Sequence, residues 1–361
     1  MIRLLSRKIH IAVVLLFFLS VLRINAQEQK PGAGSQEQQP APPSPPFGPQ
    51  LALTPSGGVT LVRAKESFSS LSLEGSDLHA EPPLLGSREV TKTFTRELWQ
   101  VRWRPNDALD LYVILPPGVK NPPAVLYLYG YPSETDRFRD DRYCQRLVQN
   151  GAAAIGFVSA LTGYRTQYRP PKQWFVSELP ESLATTVHDV QMILNYLDTR
   201  GDLDMSRVGM FGQGSGGAIA ILSAAVDPRL KVLDLLDPWG DWPEWFAKVP
   251  MLPDQERAEY VKADFLKRLE PLEPLRFLPE LQSRSIRIQF VDQNGEPKEV
   301  VSKLNAAAPS TAKIIQYHDG LQFRGAVAGG GLFVWIANEL KSQKDTKTVS
   351  KDITAQTKRV Q

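Results

Sequence analysis

One ten-residue segment restricts the fold of this chain more than any other: Val-Gly-Met-Phe-Gly-Gln-Gly-Ser-Gly-Gly at residues 208–217. An apolar run is followed by clustered glycines and then by a second apolar stretch, which predicts a strand, a sharp turn and a helix. Gly212 and Gly216 stand two residues before and two residues after Gly214, and residues this small let the strand and the helix pack closely. We therefore expect Gly214 at the apex of the turn and Ser215 at the start of the helix.

The chain between residues 94 and 340 alternates short β-rich runs with helical runs, which predicts an α/β domain with a mostly parallel sheet and helices on both faces. A turn signal, Arg-Pro-Asn-Asp at residues 104–107, joins two strands into a hairpin. The predicted strands are 94–101, 109–115, 124–129, 152–158, 208–211, 232–236, 286–291 and 313–317. The predicted helices are 139–149, 182–197, 215–226, 254–269, 298–307 and 332–340.

Two further segments interrupt or precede this pattern. Residues 241–281 are rich in Trp, Pro and charge, and an insertion at that point of an α/β sheet usually covers the crevice over the strand ends. We predict that it forms a lid. Residues 51–93 carry little periodicity and are predicted to be an N-terminal embellishment of the domain.

The two ends of the chain have the composition of targeting and linker segments. Residues 1–26 combine a basic start, an apolar run at 11–22 and a small residue, Ala26, and so predict a secretory signal. An uncleaved membrane anchor is the alternative, although the run is shorter than the ~20 apolar residues of a spanning helix. The domain is thus expected to be exported, either periplasmic or secreted, or else anchored in a membrane.

Residues 27–50 are rich in Gln, Gly, Ser and Pro and predict a semi-rigid polyproline linker. Residues 341–361 are rich in Lys, Thr and Gln without apolar periodicity, and predict a disordered basic tail. Such a tail is either simply solvated or a contact for anionic envelope polymers.

Charge and cysteine usage exclude several classes of protein. The net charge of +3 is small for 361 residues, and no basic patch suggests a nucleic-acid partner. The single cysteine, Cys144, excludes an intrachain disulfide and a cysteine-based metal site, and predicts a buried apolar side chain. His79, His188 and His318 are scattered and lack the spacing of metal ligands. Neither a metal nor another cofactor is expected.

The order of elements and several motifs resemble the α/β-hydrolase superfamily, in particular its dienelactone-hydrolase, acetyl-esterase and prolyl-oligopeptidase-like branches. Leu-Tyr-Leu-Tyr-Gly-Tyr-Pro at residues 126–132 looks like the strand and loop that carry His-Gly in that family. Residues 204–212 look like the approach to the family's nucleophile elbow, and residues 273–277 are similar to the segment leading out of its lid. The resemblance covers about residues 94–340 and implies an α/β-hydrolase fold.

The resemblance also implies a nucleophile, an acid and a histidine, in that chain order. The nucleophile position falls on Gly214, which has no side chain to form an acyl intermediate. Residues 317–321, Tyr-His-Asp-Gly-Leu, resemble the family's aromatic-x-x-Gly-His turn, so the histidine position falls on Leu321. Asn294, in the loop after strand 286–291, looks like an amidated substitute for the acid. This correspondence predicts a catalytically impaired protein with a degenerate triad.

A shifted register is the competing hypothesis. Ser215, His318 and either Asp292 or Asp237 occur in the chain order of a triad, and Glu296 is a further candidate acid. They would make the protein an active serine esterase or peptidase. A nucleophile at Ser215 requires small residues at positions 213 and 217, and position 213 is glutamine.

The oxyanion hole consists of backbone groups, so it does not depend on the triad. The N–H groups of Tyr131 and Ser215 are expected to converge at the start of the predicted helix, where the helix dipole favours an anion. Aromatic residues would line this crevice and suit a small ester, an acyl group or a carbohydrate, or else they would pack the lid. They are Tyr129, Tyr131, Trp239, Trp242, Trp245 and Phe246.

Overall fold

The computed structural model describes residues 65–105, 107–133, 135–162, 165, 175–292 and 294–343. The predicted signal, the proline-rich linker and most of the predicted tail lie outside these residues. Within them, none of the helices is both long enough and apolar enough to cross a membrane.

Nine strands of the described residues form one sheet, in the order β1-β2-β3-β5-β4-β6-β7-β8-β9. β1 pairs antiparallel with β2, β2 with β3, and β3 with β5. All other neighbouring strands in the sheet pair in parallel. The strands are β1 (Leu84–Val90), β2 (Thr95–Arg104), β3 (Asp107–Leu115), β4 (Pro123–Leu128), β5 (Ala153–Gly156), β6 (Asp204–Gln213), β7 (Leu230–Leu236), β8 (Ser285–Val291) and β9 (Lys313–Tyr317). The predictions of a mostly parallel sheet and of a hairpin between β2 and β3 are confirmed.

The sheet begins at β1, ten residues before the predicted start of the domain at residue 94. All seven side chains of β1 are exposed, so the strand has no buried face. A strand without a buried face carries no alternation of apolar and polar residues, which is the pattern by which strands are recognised. Residues 84–90, within the segment predicted to be an N-terminal embellishment, therefore form an edge strand of the sheet.

Ten helices of the described residues cover the sheet. They are α1 (Asp141–Val148), α2 (Leu179–Arg200), α3 (Ser215–Val226), α4 (Trp242–Lys248), α5 (Asp254–Tyr260), α6 (Ala263–Leu269), α7 (Pro274–Phe277), α8 (Lys298–Ala307), α9 (Gly320–Ala328) and α10 (331–343). Side chains of α2, α3, α4 and α8 belong to one hydrophobic core, and side chains of α1 and α10 belong to a second. The predicted arrangement of helices on both faces is thus present, and α10 extends three residues past the predicted start of the tail.

The insertion between β7 and β8 differs from its prediction in two respects. The single helix predicted at 254–269 is two helices, because Lys262 is extended with ψ at 141°. This break lets the rings of Tyr260 and Phe265 both pack on Phe246, with centroids 6.3 and 5.5 Å away. The aromatic residues of α4 are buried in the main core, so this part of the predicted lid packs as part of the domain.

Residues 65–71 pack against α2 and bury one of its sides. The backbone carbonyls of Ser70 and Leu71 accept hydrogen bonds from His188 Nε2 (2.9 Å) and Gln191 Nε2 (2.8 Å). His188 Nδ1 lies 2.5 Å from a carboxylate oxygen of Glu66. His188 is therefore a packed structural residue, and the helix is buried on more than one face.

A buried ionic network continues from this contact. Asp189, on α2, pairs with Arg104 at the end of β2 and with Arg165 (2.8 Å), and accepts a hydrogen bond from Trp103 Nε1 (2.7 Å). Burial alone would raise the pKa of Asp189, but the two guanidinium groups hold it at about 2. This network joins α2, the β2–β3 hairpin and the segment after β5.

Candidate functional site

The turn between β6 and α3 has the geometry that the sequence predicts, with Gly214 at its apex. Gly214 has φ at 54° and ψ at −119°, a conformation that only glycine adopts without strain. Its N–H donates to the Leu236 carbonyl (2.9 Å), and its own carbonyl accepts from the Trp239 N–H (3.1 Å). These bonds place the apex at the carboxyl edge of β6 and β7.

The flanking glycines are required by close backbone contacts. A Cβ atom at Gly212 would lie 2.3 Å from the Gly216 carbonyl oxygen, and one at Gly216 would lie 2.2 Å from the Leu128 carbonyl oxygen. Both distances are far below van der Waals contact. The structure therefore confirms that these two positions allow the strand and the helix to pack closely.

Trp239 lies against the apex, where a nucleophile's side chain would project. A Cβ atom built on Gly214 would be 3.3 Å from Trp239 Nε1. Trp239 is buried, and its ring centroid is 4.5 Å from that of Trp245. No feature of the sequence separates this tryptophan from others in the insertion, so its position over the apex is visible only in the structure.

Ser215 is fully buried, and its hydroxyl bonds to one of the two backbone groups predicted to form the oxyanion hole. Its Oγ accepts a hydrogen bond from the Tyr131 N–H at 3.0 Å. This bond brings the Tyr131 and Ser215 segments together, and it engages the Tyr131 N–H, one of the two groups predicted to bind an oxyanion, with the Ser215 hydroxyl.

The two histidine-related positions lie on the surface. The His318 side chain is 87% exposed, and its Nδ1 is 4.0 Å from an Asp292 carboxylate oxygen. Leu321 is 70% exposed in the first turn of α9, whose N-cap is Asp319. The structure thus brings His318 close to Asp292, but the hydroxyl of Ser215 is bonded to backbone and not to His318.

Asp237 and Asn294 come together beside the elbow. Asp237 is buried at the end of β7 with φ at 44°. Its carboxylate accepts hydrogen bonds from the Val291 N–H (2.9 Å) and from Asn294 Nδ2 (2.6 Å). Burial raises the pKa of Asp237 to about 6, although these two bonds favour its ionised form.

Glu296 lies in the same loop and contacts the tryptophans of the elbow. Its Oε2 accepts a hydrogen bond from Trp245 Nε1 at 3.1 Å, and the Trp245 ring packs on Trp239. Burial of the carboxyl group, followed by the nearby charge of Asp237, raises the pKa of Glu296 to about 8. Of the candidate acids, Glu296 is thus the one linked to the tryptophan over the apex.

The predicted aromatic wall mostly packs the interior. Trp239, Trp242, Trp245 and Phe246 are each at most 4% exposed, Tyr129 is buried against Tyr143, and Tyr131 is half-buried. A cleft of about 570 Å³ lies instead at the amino-terminal edge of β4 and β6, lined by Lys120, Asn121, Asp198, Leu203, Asp204, Met205, Ser206 and Arg207. In the part of the chain that the structure describes, no three His, Cys, Asp or Glu side chains are gathered as metal ligands.

The strand order, the helices on both faces and the tight turn after β6 define an α/β-hydrolase fold. Three solved structures are similar to it. An acetyl xylan esterase from Paenibacillus sp. R4 superposes with a TM-score of 0.56 at 15% identity, over 73% of this chain and 89% of that one. An S-formylglutathione hydrolase from Agrobacterium tumefaciens has a TM-score of 0.51 at 14% identity, over 71% and 99% of the two chains.

The third, a 2,6-dihydroxy-pseudo-oxynicotine hydrolase, has a TM-score of 0.51 at 17% identity, over 73% of this chain and 69% of that one. No protein-family model matches the sequence, and no curated protein matches it. These similarities confirm the fold that the sequence motifs predict. The state of the catalytic residues has to be judged from this chain's own side chains.

Proposed function

We propose that this chain is an exported α/β-hydrolase-fold protein that does not hydrolyse esters and that acts as a binding or scaffolding protein. The observation that carries the proposal is the apex of the elbow, where Gly214 offers no nucleophile and the Trp239 indole lies 3.3 Å from the position of its missing Cβ. Export is supported by the basic, apolar and small-residue pattern of residues 1–26. A mature N-terminus directly after Ala26 would test it.

Three further observations support the absence of hydrolysis. Ser215 is buried and bonded to the Tyr131 N–H, the exposed His318 lies by Asp292, and Leu321 carries no base. In serine hydrolases, removing the triad as a unit lowers kcat by on the order of 10⁶, and the oxyanion hole and binding leave at most ~10³–10⁴ over water. Here the Tyr131 N–H, one of the two groups predicted to bind an oxyanion, is itself engaged with the Ser215 hydroxyl.

The mature protein is expected to turn over p-nitrophenyl acetate no faster than its Ser215→Ala variant, and to resist labelling by a fluorophosphonate probe. The reason is that, among the described residues, no hydroxyl at the elbow is both exposed and hydrogen-bonded to a histidine. Initial rates and intact mass measure the two outcomes. Stoichiometric labelling of Ser215, with turnover abolished in Ser215→Ala, would instead establish the shifted triad of Ser215 and His318.

A matched variant, Gly214→Ser, places a hydroxyl at the apex. We expect it to lower the free energy of unfolding by about 1–3 kcal/mol, because a non-glycine residue at φ 54° is strained. It should remain inactive towards p-nitrophenyl acetate, since the histidine position is Leu321. Ester turnover in this single variant would show that a functional base lies at the elbow and would contradict the proposal.

A further inference from the structure

In the described residues the sheet has an edge strand at each end, β1 and β9, and the two edges differ in how well they could pair with another strand. β1 is interrupted by a bulge between Leu85 and Ser87, and its Arg88 pairs back onto Glu97 of β2 (3.4 Å). Bulges and charges of this kind protect an edge against further strands. β9 pairs with β8 in continuous register and contains no proline, so its outer edge is a template for one more strand.

The backbone groups that face outward from β9 belong to alternate residues. The Tyr317 carbonyl accepts a hydrogen bond from the Asp292 N–H (2.9 Å), so the odd-numbered residues of β9 turn their backbone groups towards β8. Ile314 and Gln316 therefore point theirs away from the sheet, as does His318 just after the strand. The His318 N–H is bonded to a glutamine side chain of α9 (2.6 Å), which leaves its carbonyl for a partner.

The segment from Lys313 to Asp319 is complementary to itself when two copies run antiparallel about a two-fold axis at Gln316. In that register Lys313 lies opposite Asp319 of the second copy, and this pair occurs twice. Ile315 likewise lies opposite Tyr317 of the second copy. Pairs of opposite charge and pairs of an aromatic with a β-branched side chain both stabilise neighbouring strands.

The charges at the two ends of this segment select the register and the partner. Lys313 is exposed, and in the described part of the chain neither it nor Asp319 takes part in an ion pair within 4.0 Å. An axis at Ile314 or Ile315 would place Lys313 opposite an apolar or aromatic side chain and leave both charges unmatched. An exposed lysine on an edge also opposes pairing with unrelated strands, so the match to Asp319 favours a second copy of this chain.

Two large apolar side chains are exposed at the same edge. Ile314 is 40% exposed, and Leu321, in the first turn of α9, is 70% exposed. With the axis at residue 316, Ile314 faces His318 of the second copy. Because Phe323 of α9 packs on Tyr317 (5.3 Å), the two-fold axis brings both α9 helices to the same side of the joined sheet. Pairing thus removes from water apolar surface that a single chain exposes.

We propose that β9 pairs with β9 of a second copy of this chain, antiparallel about a two-fold axis at Gln316, so that the two sheets form one continuous sheet. The Gln316 N–H of each copy donates to the Gln316 carbonyl of the other, and the Ile314 N–H donates to the His318 carbonyl. Since the strands are antiparallel, the two elbows face in opposite directions. The pairing does not depend on the proposed function, but its consequence, a scaffold that bridges two ligands, rests on it.

Sedimentation equilibrium of residues 27–361 over the micromolar range tests the pairing. We expect a dimer whose Kd rises at least about tenfold in Lys313→Glu, because that change places like charges opposite each other twice. Lys92→Glu makes the same change in the exposed turn between β1 and β2, and should leave Kd unchanged. Circular dichroism shows whether each variant is folded.

Asp319→Asn tests the charge pair without removing the cap of α9, since asparagine caps helices as well as aspartate does. By itself it should weaken the dimer. Combined with Lys313→Glu, it should give a tighter dimer than Lys313→Glu alone, because the repulsion between like charges is then removed. The same sedimentation measurement gives all four Kd values of this cycle.

Gln316→Cys tests the register, because residue 316 faces its own copy across the axis. The two Cα atoms should lie about 5.5 Å apart, within reach of a disulfide. Ile314→Cys is the matched control, since its two copies lie roughly 13 Å apart along the strands. Cys144 is buried and does not compete. Mild oxidation followed by a non-reducing gel should show a covalent dimer of Gln316→Cys and not of Ile314→Cys.

Three results would overturn the proposed dimer. They are a monomer at every concentration, a dimer whose Kd is the same in Lys313→Glu as in Lys92→Glu, and failure of Gln316→Cys to cross-link while Ile314→Cys does so or while neither does. None of these measurements involves ester turnover. Such a result would therefore leave the proposed absence of hydrolysis standing.

Discussion

Replacement of Asp189 by asparagine is expected to lower the free energy of unfolding by about 3–5 kcal/mol. Asp189 is completely buried between Arg104 and Arg165. Asparagine keeps the shape of the side chain but removes the charge. The two buried guanidinium groups then lose the carboxylate between them and keep only Glu66 and Asp107 as ion-pair partners. Urea unfolding at pH 7, followed by circular dichroism, measures the change.

Asp202→Asn is the matched control. Asp202 also pairs with an arginine, Arg200 (2.7 Å), but its side chain is 43% exposed. Exposed ion pairs contribute about 0–1 kcal/mol, so this variant should change stability little. A loss below about 1 kcal/mol in Asp189→Asn would show that the buried carboxylate does not hold the two arginines in place.

Gly216→Ala is expected to lower the free energy of unfolding by at least about 3 kcal/mol, with loss of folding as the extreme result. The added Cβ would lie 2.2 Å from the Leu128 carbonyl oxygen, which is backbone in the centre of the sheet and cannot rotate away. Either β4 must move from α3 or the turn must open. Thermal and urea unfolding of the purified variant measure the effect.

Gly325→Ala makes the same substitution at a second glycine, where we expect the opposite change in the free energy of unfolding. Gly325 lies in α9, and nothing is within 4 Å of its Cβ position. Alanine in an exposed helix is favoured over glycine by about 0.5–1 kcal/mol, so the variant should be slightly more stable. If Gly216→Ala were tolerated as well as Gly325→Ala, the elbow would not have the close strand–helix contact described here.

The residues that give the elbow its shape are separate from those that would carry out catalysis. Gly212 and Gly216 are required by backbone contacts that do not involve catalysis, and Gly214 is required by its backbone conformation once no nucleophile is present. The shape of the elbow therefore follows from glycine contacts that do not depend on any reaction. Beside the apex, the Trp239 indole lies 3.3 Å from the Cβ position of Gly214.

Most of the fold could be predicted from the sequence because its signals are local. The helices 215–226 and 298–307 and the strand 313–317 have the predicted limits, since apolar periodicity and glycine or proline mark their ends. The exceptions have physical causes. β1 has no buried face, and the break after α5 serves the packing of Tyr260 and Phe265 on Phe246.

The candidate site was less predictable because its decisive contacts are non-local. Ser215 and Tyr131 are 84 residues apart, and whether the serine hydroxyl accepts from the Tyr131 N–H depends on the rotamer of the serine. Asp237, Asn294 and Glu296 all occur in the sequence as candidate or substitute acids. The burial of Asp237, and the link from Glu296 to Trp245 51 residues away, depend on how the insertion packs.

The sequence by itself determined the strand–turn–helix at residues 208–217, the absence of a side chain at its apex and the absence of a histidine at position 321, because these follow from residue identity and from backbone sterics within a few residues. Only the tertiary structure decided that Trp239 lies against the apex, that the Ser215 hydroxyl accepts from the Tyr131 N–H and that Glu296 accepts from the Trp245 indole. Each of these depends on side chains from separate segments packing at the carboxyl edge of the sheet, and such packing is decided by the shape of the whole core.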